Sequence, residues 1–338
     1  RPPRSTLDRS SAASDVYKRQ LLGLILLMVV GGVMLLMSAG APVAISKGLN
    51  EYHFLKKQLL FLSVSIPLMV LISILKVSQI KQLIFVLFII SFLCLLQINF
   101  FGEEVNGATR WLNFFGFTIQ PSEFMKPCFA VFNAWLLSIW INNSNSKSWI
   151  LSIVLLSTIL TILLLQPDVG MSFILASTWM FQIYIAGISL YLVCLTLFVI
   201  SIIGFSSYFL FEHVQKRVDG FLEGGGFQIG KSIDAFLNCG VFGTGFGEGE
   251  VSKNLPDSHT DFIFAVAGEE LGAFGCSLII LAYFFIFLRG MIISSTSTKI
   301  FLFLVIFGSF WCHFGFIWGS FWDHLGVIWD YSGIRYQP

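Results

Sequence analysis

Residues 255–289 read LPDSHTDFIFAVAGEELGAFGCSLIILAYFFIFLR, a polar stretch that runs into a long apolar segment. The apolar part, 261–289, is longer than the about 20 residues that an α-helix needs to cross a bilayer. It nevertheless carries Asp261, Glu269 and Glu270 near its start. Charged side chains at membrane depth are costly, so we expect these acids either to be held by partners inside a bundle or to take part in chemistry.

Similar apolar runs recur along the chain and predict an all-α polytopic membrane protein. Of the 338 residues, 56% are hydrophobic and 12% are charged, and the mean hydropathy is +0.83. A formal net charge of +1 offers no basic surface for nucleic acid. We predict nine transmembrane helices, near 21–40, 58–76, 82–100, 121–141, 149–165, 169–186, 188–210, 261–289 and 300–320.

The two ends of the chain differ from the rest in composition. Residues 1–20 are polar and rich in Arg and Ser, and we interpret them as a non-native or disordered segment. Residues 309–338 are crowded with Trp, His and Asp, which indicates an interfacial aromatic belt or a frameshifted or truncated C-terminus. The expected membrane domain is therefore 21–308. The six cysteines suggest neither a disulfide nor a metal site.

If the N-terminus is cytoplasmic, the outer loops are 41–57, 101–120 and 211–260, and the inner loops are 77–81, 142–148 and 290–299. Lys and Arg residues near the helix ends are balanced between the two sides, so charge does not settle the orientation. The outer loops, taken as segments without strands, hold most of the unusual residues.

Arg110 and Trp111 precede a helix that carries Glu123 and Lys126 three residues apart, on one helical face. This spacing predicts an ion pair. The pair either tethers a neighbouring helix or, with Arg110, forms an anion site at the membrane surface. Arg110 and Trp111 also fit an interfacial anchor.

Three further segments have simple structural interpretations. Pro167 and Asp168 predict a break between two helices, which a turn explains without a chemical role for Asp168. The stretch VFGTGFGEGE, 241–250, predicts a flexible or tightly turning loop, and 227–237 predicts an amphipathic helix on the bilayer surface. Ala265, Gly268 and Gly272 share a face with Asp261 and should let another element approach closely.

Four motifs together resemble the SEDS family of bacterial cell-wall proteins. They are GATRW (107–111), QPSEF (120–124) with Lys126, QPD (166–168) with Gly170, and LPDSHTDFIFAVAGEELG (255–272), and they have the order and spacing of that family. The resemblance spans about 21–289. It is nearer to the division branch of the family than to the elongation branch.

The resemblance implies ten transmembrane helices, so we expect nine to ten, with a large periplasmic loop after the seventh, at 211–260. It also implies a peptidoglycan glycosyltransferase of the bacterial inner membrane that polymerises lipid II during septal wall synthesis. Its expected partners are a class B penicillin-binding protein and other division proteins. A lipid II flippase, an elongation polymerase and a noncatalytic division scaffold are the rival interpretations.

By resemblance, Asp261 is the general base, Arg110 and Lys126 bind the diphosphate, and Glu123 orients Lys126. Trp111 and His259 are expected to contact the substrate, and Asp168, Glu269 and Glu270 to support the site. We predict no obligatory cofactor, although a divalent cation, Mg or Mn, would suit the leaving group.

Overall fold

The computed structural model describes residues 4–105, 108–114, 117–143, 147–166, 168–188, 226–238, 240–255, 258–260, 262–295 and 300–312, with single positions and pairs of residues between 191 and 219. Its helices are α1 Arg4–Ser46, α2 His53–Ile74, α3 Val77–Phe101, α4 Pro121–Asn142, α5 Ser148–Leu165, α6 Val169–Ile185, α7 Gly226–Asn238, α8 Ile263–Ser295 and α9 Ile300–Cys312. The helix predicted at 188–210 lies mostly outside these ranges, as does the predicted atypical segment 309–338.

The described helices are those of a polytopic membrane protein. Six of them are long and apolar enough to cross a membrane, namely α1 from Arg19 onward, α2, α3, α4, α5 and α8. All 22 residues of α2 are described, and none of them is buried. Its exposed side chains include the apolar Leu59, Leu60 and Val64. Such an apolar surface suits lipid contact. The all-α membrane class is confirmed, and the number of nine to ten helices stays a prediction.

The first helix begins earlier than its apolar run. Its backbone is helical from Arg4, so it includes polar residues that precede Leu21. The interpretation of 1–20 as non-native stays a prediction.

The described chain divides into two compact units. The first contains the residues up to Val70 and those from 226 to 290, and the second contains Leu71 to 219 and 291 to 312. In the second unit, α3, α4, α5, α6 and α9 share one apolar core, with fully buried Leu95, Phe129, Ile159, Trp179 and Leu304.

A buried polar network crosses the core of the second unit. The amide nitrogen of Gln182 donates to the carbonyl oxygens of Ala130, at 2.8 Å, and Leu304, at 3.0 Å. Asn133 donates to the Gln182 amide oxygen at 2.8 Å and accepts from the hydroxyl of Ser152. The network therefore joins α4, α5, α6 and α9, and lipid cannot replace its hydrogen bonds.

A small antiparallel sheet precedes α4, where the sequence predicted a loop without strands. Its strands are β1 Glu103–Val105, β2 Ala108–Phe114 and β3 Phe117–Ile119, in the order β1-β2-β3. β2 contacts both α3 and α4. The prediction was wrong because the outer strands have only three residues each, too few to show an alternating pattern.

Candidate active site

Arg110 and Trp111 lie in β2, the central strand of the sheet. The register steps from Glu103 opposite Trp111 to Glu104 opposite Thr109, so Arg110 is the extra residue of a β-bulge. The Trp111 side chain is exposed, whereas that of Leu112 is buried. Bulges often redirect a side chain beside an active site. The side chain of Arg110 lies outside what the structure describes.

Glu123 and Lys126 form the predicted ion pair in the first turns of α4, with 2.7 Å between Nζ and Oε2. The Lys126 side chain is 12% exposed and that of Glu123 is 50% exposed, so the ammonium group is held inside while its partner reaches the surface. The thiol of Cys312 in α9 lies 3.8 Å from the carbonyl oxygen of Lys126. The ion pair makes a largely enclosed lysine tolerable, and the anion-binding role of Lys126 stays a prediction.

Asp168 lies at the predicted break between α5 and α6. It is buried, its N–H donates to the Leu163 carbonyl at 2.9 Å, and its own carbonyl accepts the hydroxyl of Ser172 at 2.8 Å. The neighbouring side chain of Gln166 donates to the Leu95 carbonyl at 2.8 Å, which ties the break to α3. These contacts are those of a structural turn. Pro167 lies outside the described residues.

In the first unit, α8 is broken at Gly272, where φ is 71° and ψ is −175°. Only glycine adopts this backbone conformation readily. The prediction of one continuous helix over 261–289 is wrong at Gly272. In the sequence, a glycine that breaks a helix cannot be distinguished from a glycine that belongs to a stripe of small packing residues.

The loop that follows α7 pairs with the backbone on both sides of the break. Four N–H···O bonds join them: Thr244 to Glu269 (2.9 Å), Gly245 to Glu270 (3.0 Å), Ala273 to Gly240 (3.2 Å) and Phe274 to Val241 (3.0 Å). A Cβ atom on Gly243 would lie 2.3 Å from the Glu270 carbonyl oxygen, so the approach requires glycine there. An irregular stretch in a membrane helix must find its partners within the protein, and this loop supplies them.

Helix α7 packs against the predicted stripe of small residues on α8. A Cβ atom on Gly268 would lie 2.4 Å from a ring carbon of Phe236, and Ala265 is buried in one cluster with Ala235. The helical prediction for 227–237 is confirmed. The prediction that this helix lies on the bilayer surface is incomplete, because α7 also packs against α8 through Phe236.

Glu269 lies in α8 and is 2% exposed, yet both of its carboxylate oxygens have partners. Oε1 accepts the backbone N–H groups of Glu250 and Val251, both at 2.9 Å, and Oε2 accepts that of Ser252 at 2.8 Å. Ser252 begins the 3₁₀ helix Ser252–Asn254, whose first N–H groups are free to bind an anion. The carboxylate therefore fastens the loop 250–252 to α8.

Glu270 is equally buried and connects α8 to α1. Its Oε1 accepts the hydroxyl group of Ser38. Among the described atoms, its Oε2 has no hydrogen-bond partner. Sequence analysis missed Ser38, because one serine in the apolar run 21–40 gives no signal of such a contact.

Asp261, the predicted general base, lies outside the described residues, but the residues beside it are placed. The His259 ring packs against Phe54 of α2, with 4.0 Å between ring centroids and 38° between ring planes. The Ser258 hydroxyl lies 3.4 Å from the Ala39 carbonyl oxygen of α1. On the other side, α8 begins at Ile263. Both flanks of Asp261 are thus held by helices of the first unit.

The predicted residues fall into two groups, one in each unit. The first unit contains His259, Glu269 and Glu270, and the second contains Arg110, Trp111, Glu123, Lys126 and Asp168. No three His, Cys, Asp or Glu side chains in the described ranges are grouped as a metal site. The divalent cation stays a prediction.

One family model matches a continuous part of the chain that contains all of these residues. The FtsW/RodA/SpoVE family model, described as "Cell cycle protein", matches residues 18–317. A "Probable peptidoglycan glycosyltransferase FtsW" from Caulobacter vibrioides (strain NA1000 / CB15N) is 35% identical over 280 residues, 81% of this chain and 71% of the relative. One of the same name from Riesia pediculicola (strain USDA) is 32% identical over 299 residues, 85% of this chain and 79% of that protein.

Two solved structures are similar in fold. A chain from a study described as "Structural coordination of polymerization and crosslinking by a peptidoglycan synthase complex" has a TM-score of 0.70 at 22% identity, covering 91% of this chain and 87% of that one. A single-substitution variant of the rod shape determining protein RodA from Thermus thermophilus has a TM-score of 0.64 at 20% identity, covering 91% and 85%. At these identities the likeness concerns the fold alone.

Proposed function

Because the chain belongs to the FtsW/RodA/SpoVE family of cell cycle proteins, we propose that it is a peptidoglycan glycosyltransferase that polymerises lipid II during septal wall synthesis. The observation that carries the proposal is the single family match over 18–317, which includes Arg110, Lys126 and Asp261. The protein would act as a multi-pass protein of the bacterial inner membrane, at the division septum.

The reaction needs one proton acceptor and positive charge. A sugar hydroxyl attacks an anomeric carbon, a new C–O bond forms, and the bond to undecaprenyl diphosphate breaks. In this proposal Asp261 takes the hydroxyl proton. Diphosphate leaves as an anion without needing a proton, so Arg110 and Lys126 stabilise the charge that develops on it.

The surroundings of these residues support their roles. A cation that stabilises a transition state acts best when it is already in position, and Glu123 holds the Lys126 ammonium group at 2.7 Å. A general base must likewise be well placed. The contacts of Ser258 and His259 with α1 and α2 restrict the segment on which Asp261 lies.

The proposed partner is a class B penicillin-binding protein, together with other division proteins. A polymerase that makes uncrosslinked strands needs a transpeptidase close by. The solved complex that this fold resembles is described as coordinating polymerization and crosslinking. The partner would be needed for full activity.

The decisive experiment compares Asp261→Asn with the wild-type chain, purified with a class B penicillin-binding protein and supplied with labelled lipid II. We expect the substitution to lower the rate of glycan polymer formation by about 10²–10⁴-fold, the contribution typical of a general base. Asp234→Asn is the matched control, because Asp234 is an exposed acid of the same unit that pairs with Lys231 at 3.7 Å. Thermal unfolding checks that both variants fold.

Other outcomes would overturn either the role of Asp261 or the proposed function. Polymer formed at the wild-type rate by Asp261→Asn would remove Asp261 from the mechanism. Movement of labelled lipid II across vesicle membranes, without any polymer, would identify a flippase. Normal septation in cells that carry only Asp261→Asn would identify a noncatalytic scaffold.

A further inference from the structure

A pocket of about 760 Å³ opens at one end of the second unit, where α3 and α9 begin and α4 ends. It lies at the opposite end of α3 from the sheet, because α3 starts at the pocket with Val77 and ends at Phe101 just before β1. Binding sites for small molecules usually measure about 300–1,000 Å³. The pocket is large enough for a ligand and separate from the sheet that carries Arg110.

The pocket is positively charged. Two of its lining residues, Lys76 and Lys81, are cationic, and none is acidic. The Lys81 ammonium group lies 4.3 Å from the ring centroid of Phe301, which holds it at the pocket wall. The first turn of α3 contains no acid, so its N–H groups add positive potential. Such surroundings favour an anion.

The pocket also has apolar walls, where two membrane-type helices begin. Val77 and Phe301 line it beside the two lysines, and they stand at or near the ends of α3 and α9. Ser78, Ser138 and Asn142 add hydroxyl and amide groups. A ligand that matches this mixture has a charged phosphate group joined to an apolar body.

We infer that this pocket binds the phosphate headgroup of an anionic phospholipid. Basic pockets between membrane helices bind such headgroups through lysine and arginine. The headgroup phosphate would lie between Lys76 and Lys81, with its acyl chains against the apolar wall. This site is independent of the proposed glycosyltransfer, since it uses none of the residues assigned to that reaction.

Native mass spectrometry of the full-length protein in detergent tests the inference, with phosphatidylglycerol and phosphatidylcholine as the titrated probes. We expect tighter binding of phosphatidylglycerol. The double variant Lys76→Gln/Lys81→Gln should bind it about 30-fold more weakly, because a lysine near anionic lipid contributes about fivefold. Lys147→Gln is the matched control, since Lys147 is an exposed lysine just before α5, at the same end of the unit, and does not line the pocket.

Two further measurements keep the result interpretable. Lys81→Arg preserves both the charge and the contact with Phe301, so it should retain binding even if Lys81→Gln disturbs packing. Equal phosphatidylglycerol binding by the wild type and the double variant would overturn the inference, as would equal binding of the two lipids by the wild type. Displacement of phosphatidylglycerol by millimolar glycerol 3-phosphate would overturn the lipid assignment and identify a soluble phosphate ester as the ligand.

Discussion

At the scale of single residues, Glu269 is a buried acid in a membrane-type helix, and both of its carboxylate oxygens accept hydrogen bonds. Its three donors are backbone N–H groups of Glu250, Val251 and Ser252. Hydrogen bonds to a charged group contribute about 1.5–3 kcal/mol each, and a buried donor left without a partner is costly. The removal of this one carboxylate therefore affects three loop residues at once.

We predict that Glu269→Gln lowers the thermal stability of the purified protein, because an amide NH₂ group cannot accept the bonds that one of the carboxylate oxygens accepts. The loss should be about 1–3 kcal/mol. Glu248→Gln, which changes an exposed acid of the same loop, should leave stability unchanged. Differential scanning fluorimetry in detergent would measure both variants, and equal melting temperatures would show that the loop does not depend on Glu269.

Sequence reasoning identified Glu269 and Glu270 as unusual and predicted a supporting role for both. The spacing of charges along α8 predicts that they need partners, since charge at membrane depth is costly. It does not reveal which partners, because backbone donors carry no side-chain signal and Ser38 is 232 residues away from Glu270. Lys126 was easier to place, because its partner Glu123 lies three residues away on the same helix.

At the scale of secondary-structure elements, the broken helix α8 and the loop that pairs with it form one hydrogen-bonded structural unit. Gly243 is the point of closest approach, with φ at 76°. An alanine there would meet the Glu270 carbonyl oxygen at 2.3 Å. Either the loop or the break must then move.

We predict that Gly243→Ala destabilises the protein by more than the about 1–2 kcal/mol that the left-handed conformation alone costs an L-residue. Gly230→Ala is the matched control, because Gly230 lies in α7 with no atom within 4 Å of an added Cβ. That control should be neutral or slightly stabilising. Melting temperatures of the two purified variants decide the matter, and a Gly243→Ala protein as stable as wild type would mean that the loop does not approach α8 so closely.

The elements that sequence predicted best are those whose signal is local. The limits of α4, α5 and α6 lie within one residue of the predicted runs, because polar residues, prolines or a glycine flank each apolar stretch. The sheet at 103–119 and the break at Gly272 were missed. Both depend on pairing between segments, and very short strands or one glycine leave no periodic pattern.

At the scale of the whole molecule, the alternation of spans and loops predicts which segments share a side of the membrane. If α3 and α4 each cross once, Lys76 and Lys147 lie on one side and Ile119 lies on the other. The charge rule left open which side is cytoplasmic. The family resemblance implies that Ile119 is periplasmic.

We predict that Ile119→Cys reacts with a membrane-impermeant maleimide in intact spheroplasts, whereas Lys76→Cys and Lys147→Cys react only after lysis. The parent chain should carry Ser in place of Cys194, which is exposed, and of Cys239. Ile119 is 37% exposed, so its replacement should be accessible. Labelling of all three positions in intact spheroplasts would contradict the expected crossings of α3 and α4.

Membership of the family was predictable from four short motifs, because their order and spacing are more specific than any one of them. The family match runs to residue 317, beyond the 289 at which the motif resemblance ended. The sequence motifs did not reveal this continuation, because the residues after about 308 are unusually rich in Trp, His and Asp. The partners of Glu269 and Glu270 could not be predicted, because sequence spacing says little about contacts between distant segments.

The pairing between the loop and α8 also has a consequence for biosynthesis. Residues 240–245 precede α8 in the chain, so they leave the ribosome before the helix whose break they complete. The groups that satisfy Ala273 and Phe274 are therefore already made when that helix enters the membrane. A fault in this loop would act first on the yield of correctly inserted protein, and only the molecules that pass this step would reveal its effect on catalysis.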